Sequence, residues 1–413
     1  MIETTKMSID ERRKYLNKMR IRYWQAKTKK ERGLLLDEMM AVTELHRKSV
    51  QRLIKGELAR KPRRRQRGKT YGIDVADVAK KIAHSLDYPC AERLQPNLVW
   101  MAKHLEKHGE IKPSAEVYEK LGTISVPTLR RLLPPSERVA TRMAHRRGKP
   151  KDSFAQRQLI PMCRLAWDTK EPGHFEIDLV HHCGISASGQ YIHTLQMLDV
   201  ATGWSECVAI LGRSYLVMQD GFERIKKHLP FSMIEIHPDN GSEFLNAYLL
   251  RFWKERTHPL ELSRSRPYHK NDNRFVEENN NSLVRAYIGY NRLDTASQTD
   301  MLNRLYGKLW LYHNFFQPVM RLAEKCIEGQ RLKRIYDQAQ TPFDRLCNFK
   351  ILSSEQITQL ETLRNSTNPN ALRTEIENLI DHLYASPSAS DGQVDDVRQT
   401  LSSEDNLERI ISA

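Results

Sequence analysis

The stretches HFEIDLVHHC (174–183), QYIHTLQMLDV (190–200) and GWSECVAIL (203–211) decide how this chain folds. Each is an apolar run of strand length, and short turns at Gly184–Gly189 and Ala201–Gly203 separate them. They read as three antiparallel strands. Downstream the pattern alternates: a helix over Ser214–Lys227, a fourth strand in SMIEI (232–236), a helical stretch Ser242–Arg256, a fifth strand in PLELSRS (259–265) and a helix over 273–290. The expectation is an α/β core over residues 173–295, with a five-stranded mixed sheet and flanking helices.

Three acids in this core stand out by position. Asp178 lies in the middle of the first strand, within FEIDLV, where an unpaired carboxylate is costly to bury. Asp239 follows the fourth strand in IHPDNGSEF (236–244), and Glu277 lies near a helix start in NDNRFVEENN (271–280). Three antiparallel strands followed by alternating helix and strand describe a ribonuclease-H-like architecture. In such a sheet the first strand is central and the fourth lies beside it, so the two aspartates become neighbours and the helix adds the glutamate. Breaking or exchanging a phosphodiester needs the attacking oxygen activated and the leaving oxygen stabilised. Two Mg²⁺ ions about 3.5–4 Å apart do both, and Mg²⁺ takes hard oxygen ligands. Asp178, Asp239 and Glu277 are therefore the expected catalytic and metal-binding residues. His181, His182, Cys183 and His237 lie close in sequence, and a mixed zinc site built from them is the lesser alternative.

FEIDLV (175–180), HPDNGSEF (237–244) and SRPYHKNDNRFVEENN (265–280) closely resemble the three signature regions of the retroviral-integrase-type DDE transposases. Between Asp239 and Glu277 lie 277 − 239 − 1 = 37 residues, close to that family's usual separation. Pro267-Tyr268, Asn271-Asp272-Asn273 and Val276-Glu277 resemble bacterial insertion-sequence or transposable phage-like elements in particular. YNRLDT (290–295) and LNRLYGKLWLYHNFFQPVMRL (302–322) look like the segment that follows the core there. The resemblance covers roughly 173–322. It implies a DNA transposase or integrase, a polynucleotidyl transferase whose acids hold two Mg²⁺, with Mn²⁺ able to substitute. Such an enzyme nicks the ends of a mobile element and joins the freed 3′-hydroxyls to target DNA. It further implies double-stranded DNA as partner, a homo-oligomer bridging two ends, and a bacterial, nucleoid-associated location. The Asn-Asp-Asn-x-x-Val-Glu pattern selects Glu277 over Glu278. His237, Asn240 and Asn273 are expected to support the acids, and Arg266, Lys270 and Arg274 to grip the scissile strand. Asp199 is expected to cap a turn. The alternatives are a ribonuclease-H-like nuclease without strand transfer and a non-catalytic, transposase-derived DNA-binding regulator.

Charge is segregated along the chain. The formal net charge is +15, but residues 1–150 carry 36 Lys+Arg against 17 Asp+Glu, or +19, leaving −4 for the rest. A basic excess confined to one part suggests a polyanion-binding module. Residues 1–59 read as helices, with Ser8 and Glu11 in a capping-box pattern, a helix near 29–41, a break at Thr43–His46 and a short basic helix ending at Gly56. That is a helix-turn-helix pattern, with Arg47, Lys48, Gln51 and Arg52 as DNA-contact candidates. A basic linker (60–70) follows, with Arg63, Arg64, Arg65 and Arg67 placed to follow phosphates. Residues 71–134 read as a second helical DNA-binding domain, with a helix over 114–121, Gly122 in the turn, Ser125 as cap, and Thr128, Arg130 and Arg131 on the last helix. Retroviral integrases carry an N-terminal His-His-Cys-Cys zinc domain; this chain shows no such pattern, so end recognition is assigned to the helix-turn-helix units.

Residues 135–172 read as a basic connector, 296–385 as a mostly α-helical C-terminal region, and 386–413 as a disordered acidic tail. Six scattered cysteines without a CxxC pair argue for reduced thiols in a cytoplasmic protein. No stretch approaches the roughly 18 apolar residues of a membrane span.

Overall fold

The structure, a computed structural model, describes residues 7–58, 70–133, 163, 165, 169, 171–239, 244, 252–253, 260–266, 272–328, 331–390 and 394–402. It divides into two compact units, Met1–Thr70 and Tyr71–Ala413. Among the described residues no helix is long and apolar enough to cross a membrane.

The first unit is built from α1 (Ile9–Gln25), α2 (Lys29–Thr43) and α3 (Arg47–Lys55). Reciprocal capping boxes start the first two helices. Glu11 N donates to Ser8 Oγ and Ser8 N to Glu11 Oε2, and Thr28 and Glu31 repeat the exchange. Glu44 ends α2 in the left-handed region (φ 56°), and three residues later α3 begins. Leu16, Met19 and Tyr23 recur at helical spacing on α1 and bury against Leu36 and Met39 of α2 and Val50 and Ile54 of α3.

The second unit centres on a five-stranded sheet of β1 (His174–His181), β2 (Ile192–Asp199), β3 (Ser205–Leu211), β4 (Glu235–Pro238) and β5 (Glu261–Leu262), in the order β3-β2-β1-β4-β5. β1–β2 and β2–β3 are antiparallel, whereas β1–β4 and β4–β5 are parallel. This mixed sheet with flanking helices has the order a ribonuclease-H-like core requires, with the first strand central. The fourth strand is shifted from SMIEI (232–236) to Glu235–Pro238, because its pairing with β1 begins at His174 and runs on to Ile177.

α9 (Tyr215–His228) packs on the face that carries Leu195, Val208 and Ile210. A Cβ on Gly221 would meet Leu195 Cδ2 at 3.2 Å and Ile210 Cγ2 at 3.3 Å, so glycine permits this close approach. Against the other face lie α10, which starts as Arg274–Asn279 and runs on through a π-helical stretch Asn280–Arg285 to Ala286–Ile288, and α11 (Ala296–Phe316). Edge strand β3 is covered by α11: Asn303 bonds both N and O of Ala209, and Asn314 both N and O of Ser205.

A buried carboxylate organises the aromatic core beside β3. Glu206 Oε1 accepts from the indoles of Trp204 (2.7 Å) and Trp310 (2.8 Å), and its Oε2 lies 2.8 Å from His228 Nδ1. Burial opposes charge on His228, but the attraction and hydrogen bond of Glu206 outweigh it and hold the imidazole pKa above its ordinary value. A raised folded-state pKa gives stability that is full below the unfolded value near 6.5 and is lost as pH rises through the folded value. The thermal midpoint is therefore expected to fall as pH rises above the ordinary histidine value near 6.5, and to fall less in His228→Gln. Equal slopes in the two proteins would refute this assignment.

Three expectations change. Residues 71–133 do not form a separate domain. Their helices α4 (Ile73–Ser85), α5 (Ala91–Leu94), α6 (Leu98–Lys107), α7 (Ala115–Thr123) and α8 (Val126–Leu132) share one core with the C-terminal region. Tyr312 Oη donates to Ser85 O (2.8 Å), Gln317 to Leu86 O (2.8 Å) and His104 Nε2 to Thr367 O (2.8 Å). Gly122 lies inside α7 rather than in the turn, and the Ser125 hydroxyl bonds Thr128 Oγ1 instead of capping α8. Second, the C-terminal helices α12 (Pro342–Asn348), α13 (Ser354–Ser366) and α14 (Pro369–Ala385) are preceded by a hairpin, β6 (Leu322–Glu328) with β7 (Arg331–Tyr336). Third, the described part of the tail is packed: Asp395 takes the N–H of Ala296 at the start of α11, Ala389 N bonds Asp294, and Arg224 reaches Thr400 O. Its acidic residues serve as partners for backbone N–H groups, which composition alone does not reveal.

Candidate active site

The parallel register of β1 and β4 pairs His174 with Glu235, Glu176 with His237 and Ile177 with Pro238. One further step sets Asp178 beside Asp239, at the carboxyl end of β4 and next to the centre of the sheet. Both are half-buried. β5 continues the register, with Ser263 and Ser265 level with His237 and Asp239. Residues in register share a face. One face of these strands thus carries His174, Glu176 and Asp178, then Glu235, His237 and Asp239, then Ser263 and Ser265.

α10 lies over this face, tied to β1 at three points. Asn273 Nδ2 donates to Ile177 O (2.9 Å), Glu176 Oε2 accepts from Phe275 N (2.7 Å) and Val276 N (2.9 Å), and Asn280 Nδ2 donates to Asp178 Oδ2. Leu179 N donates to the other Asp178 oxygen at 2.8 Å. Glu277 falls four residues after Asn273 and three before Asn280, on the side of the helix that these two turn towards β1. It is exposed. Glu278 belongs to another side: its charge acts on Arg321, whose guanidinium lies 5.2 Å from the Phe275 ring centroid. Burial pushes the Glu176 carboxyl up to about 7, against the opposing pull of the two N–H donors.

Beneath the aspartates runs a buried polar chain. Glu235 Oε2 lies 2.8 Å from His174 Nδ1, and its Oε1 accepts from Ser263 Oγ. Since Ser263 gives its proton to that carboxylate, it must accept from His237 Nδ1 (2.7 Å), leaving Nε2 to take Ser265 Oγ (3.2 Å). Burial lowers the His237 pKa, so the ring is neutral near pH 7. Burial also opposes ionisation of Glu235, but the hydrogen bonds from His174 and Ser263 win and hold its pKa low. His237, expected beside Asp239 as a support, is fully buried and held by serines just past the neighbouring strand. It braces β4 against the segment after β5.

The zinc ligands considered from sequence do not converge. His182 is buried on Thr194 Oγ1 (2.7 Å), and Cys183 pairs with Arg292. Among the described residues, Cys163, Glu235 and His237 are a group whose donor atoms all lie within 4.8 Å of one another. Protein partners already engage both oxygens of Glu235 and both nitrogens of His237.

Several basic candidates are committed to acids. Arg266 makes a two-pronged ion pair with buried Asp272 (2.7 and 2.8 Å), Arg47 pairs with Asp37, and Arg130 with Glu92. Arg131 bonds Pro127 O and Thr128 Oγ1, so Thr128 and Arg131 hold each other. The Arg274 guanidinium lies 4.4 Å from the Phe275 ring centroid. On α3, Lys48 and Arg52 are exposed and Gln51 is partly so, and exposed Lys55 extends the same helical line. Asn240, Arg63, Arg64, Arg65, Arg67 and Lys270 lie outside the described residues. Glu176, Glu235 and Asn280 escaped the sequence reading. Strand parity offered a signal for the first, since Glu176 is two residues before Asp178 on the same face.

No family model matches the chain. The catalytic core domain of BIV integrase is similar to it at 13% identity and TM-score 0.29, over 43% of this chain and 95% of that one. A chain of the simian T-cell lymphotropic virus intasome in complex with PP2A regulatory subunit B56 gamma gives 13% identity and TM-score 0.25, over 45% and 58%. Scores this low carry no weight for this chain, and the strand order and register stand without them. In sequence, 34% identity over 326 residues joins it to the uncharacterized protein y4rM of Sinorhizobium fredii, across 79% of this chain and 92% of that protein. A match running through nearly the whole of that relative leaves one conclusion: the chain belongs to the family of the Sinorhizobium fredii protein y4rM.

Proposed function

We propose that this chain is a metal-dependent DNA transposase, cutting the ends of a mobile element and joining them to target DNA. The observation that carries the proposal is the β1–β4 register, which brings Asp178 of β1 level with Asp239 just past the end of β4, beneath the helix side that bears Glu277. Three carboxylates from three elements, at least partly open to solvent, are a hard-oxygen donor set suited to Mg²⁺ or Mn²⁺. Bound there, a pair of such ions supplies activation of the attacking oxygen and stabilisation of the leaving one. The chain's own part is orientation. Asn280 and Leu179 N fix the Asp178 carboxylate, and the bonds from Asn273 and to Glu176 fix the helix. α3, with Lys48, Gln51 and Arg52, is assigned to the element ends, in a homo-oligomer that bridges two of them.

The test is a joining assay with the full chain, Mg²⁺ and labelled DNA carrying the repeats that flank its gene. Covalent joining of 3′ ends to a second duplex supports the proposal. Cutting without joining would indicate a nuclease, and binding without cutting a regulator. Lys48→Ala with Arg52→Ala is expected to weaken end binding and to reduce its salt dependence by about one unit of slope per lost phosphate contact. An unchanged slope in a titration at several salt concentrations would remove α3 from the interface.

A further inference from the structure

We infer that Glu176 is a positioning residue: its buried carboxylate holds the first turn of α10 and so sets the helix side that presents Glu277 to Asp178 and Asp239. The inference rests on the proposed role of those three acids. The first N–H groups of any helix lack partners within it and need a cap. Here the cap position is Asn273, whose side chain makes no capping bond and instead donates from Nδ2 to Ile177 O. Glu176 supplies the cap from the adjacent strand, with Oε2 taking the N–H groups of Phe275 and Val276. Only 1% of this residue is exposed. A carboxylate is costly to bury, and an apolar side chain at that place would avoid the cost. The position therefore needs an explanation beyond packing.

Geometry supplies one. Ile177 O, the Glu176 carboxylate and Asp178 are consecutive along β1, and each holds a different point of α10. Three anchors across two turns fix both the height and the rotation of the helix, and Glu277 lies between the outer two. Without the Glu176 cap the first turn keeps only the Asn273 bond at its start, and Glu277 sits on that turn.

Residue-resolved hydrogen exchange and Mn²⁺ binding, followed by electron paramagnetic resonance, test this on the full chain. In the wild type, the Phe275 and Val276 amides are expected to be protected, and fast exchange at both would overturn the inference without any variant. In Glu176→Leu, exchange over 274–281 is expected to quicken about tenfold while β1–β3 stay protected, and Mn²⁺ affinity to fall about tenfold, towards Glu277→Gln. Glu176→Gln keeps an oxygen for both N–H groups and is expected to stay within about threefold of wild type in both readouts. Unchanged exchange in Glu176→Leu, or faster exchange with unchanged Mn²⁺ affinity, refutes positioning, and so does a Gln variant as weak as Leu. A wild type that binds no Mn²⁺ defeats the metal role of the acids, while exchange alone still decides whether Glu176 holds the helix.

Discussion

Asp178→Asn and Asp239→Asn are each expected to reduce end cleavage and strand joining at least about a thousandfold, or roughly 4 kcal/mol of transition-state stabilisation. The change removes one negative charge and leaves the shape. In Asp178→Asn the new side chain would keep an oxygen for Leu179 N, although its amide nitrogen would face the Asn280 Nδ2 donor unless it turned. Asp239 follows β4, whose backbone bonds to Gly173, Ser263 and Ser265 do not involve the Asp239 side chain. The expected signature is lost chemistry with unchanged end-DNA affinity and an unchanged thermal midpoint. Joining by Asp239→Asn at more than a tenth of the wild-type rate would sink the proposed mechanism. Asp199→Asn serves as a contrast. Asp199 accepts from Gly173 N, Thr202 N and Thr202 Oγ1, so its loss is expected to act on stability first.

The sheet was legible in the sequence because its signals are local. Apolar runs of strand length, two short turns and a helix between strands leave few ways to order the strands, and the ribonuclease-H-like arrangement they resemble puts the first strand at the centre. The places of Asp178 and Asp239 were legible for the same reason, one on a strand and one just past a strand. What stayed hidden depends on partners distant in sequence. Glu176 caps a helix about one hundred residues away, and His237 is held by serines beyond the next strand. The hairpin at 322–336 was hidden because most of its described side chains are at least partly exposed on both faces, so LAEKCIE and RLKRIY show no inside–outside alternation. Residues 71–133 looked like a free module because their helices have turns and caps of their own. Nothing local announces that Tyr312 and Gln317 will close on Ser85 and Leu86.

Glu277→Gln and Glu278→Gln should separate sharply, although the two residues are neighbours with the same chemistry. Successive helix positions differ by about 100° in direction, so adjacent glutamates cannot serve one site equally. The bonds from Asn273 to Ile177 O and from Asn280 to Asp178 fix which side of α10 meets the aspartates, and Glu277 is on it. Glu278 lies towards Phe275 and Arg321, where its charge is one of several acting on a buried guanidinium. Glu277→Gln is therefore expected to lose about a thousandfold in joining and to weaken Mn²⁺ binding. Glu278→Gln is expected to stay within about threefold, with at most a small loss of stability from the weakened attraction to Arg321. Joining rates and Mn²⁺ affinities of the two variants, measured side by side, decide the matter. If Glu278→Gln were the dead variant, α10 would have to be rotated by about a quarter turn from its position here, and the three anchors to β1 could not all be present in the working enzyme.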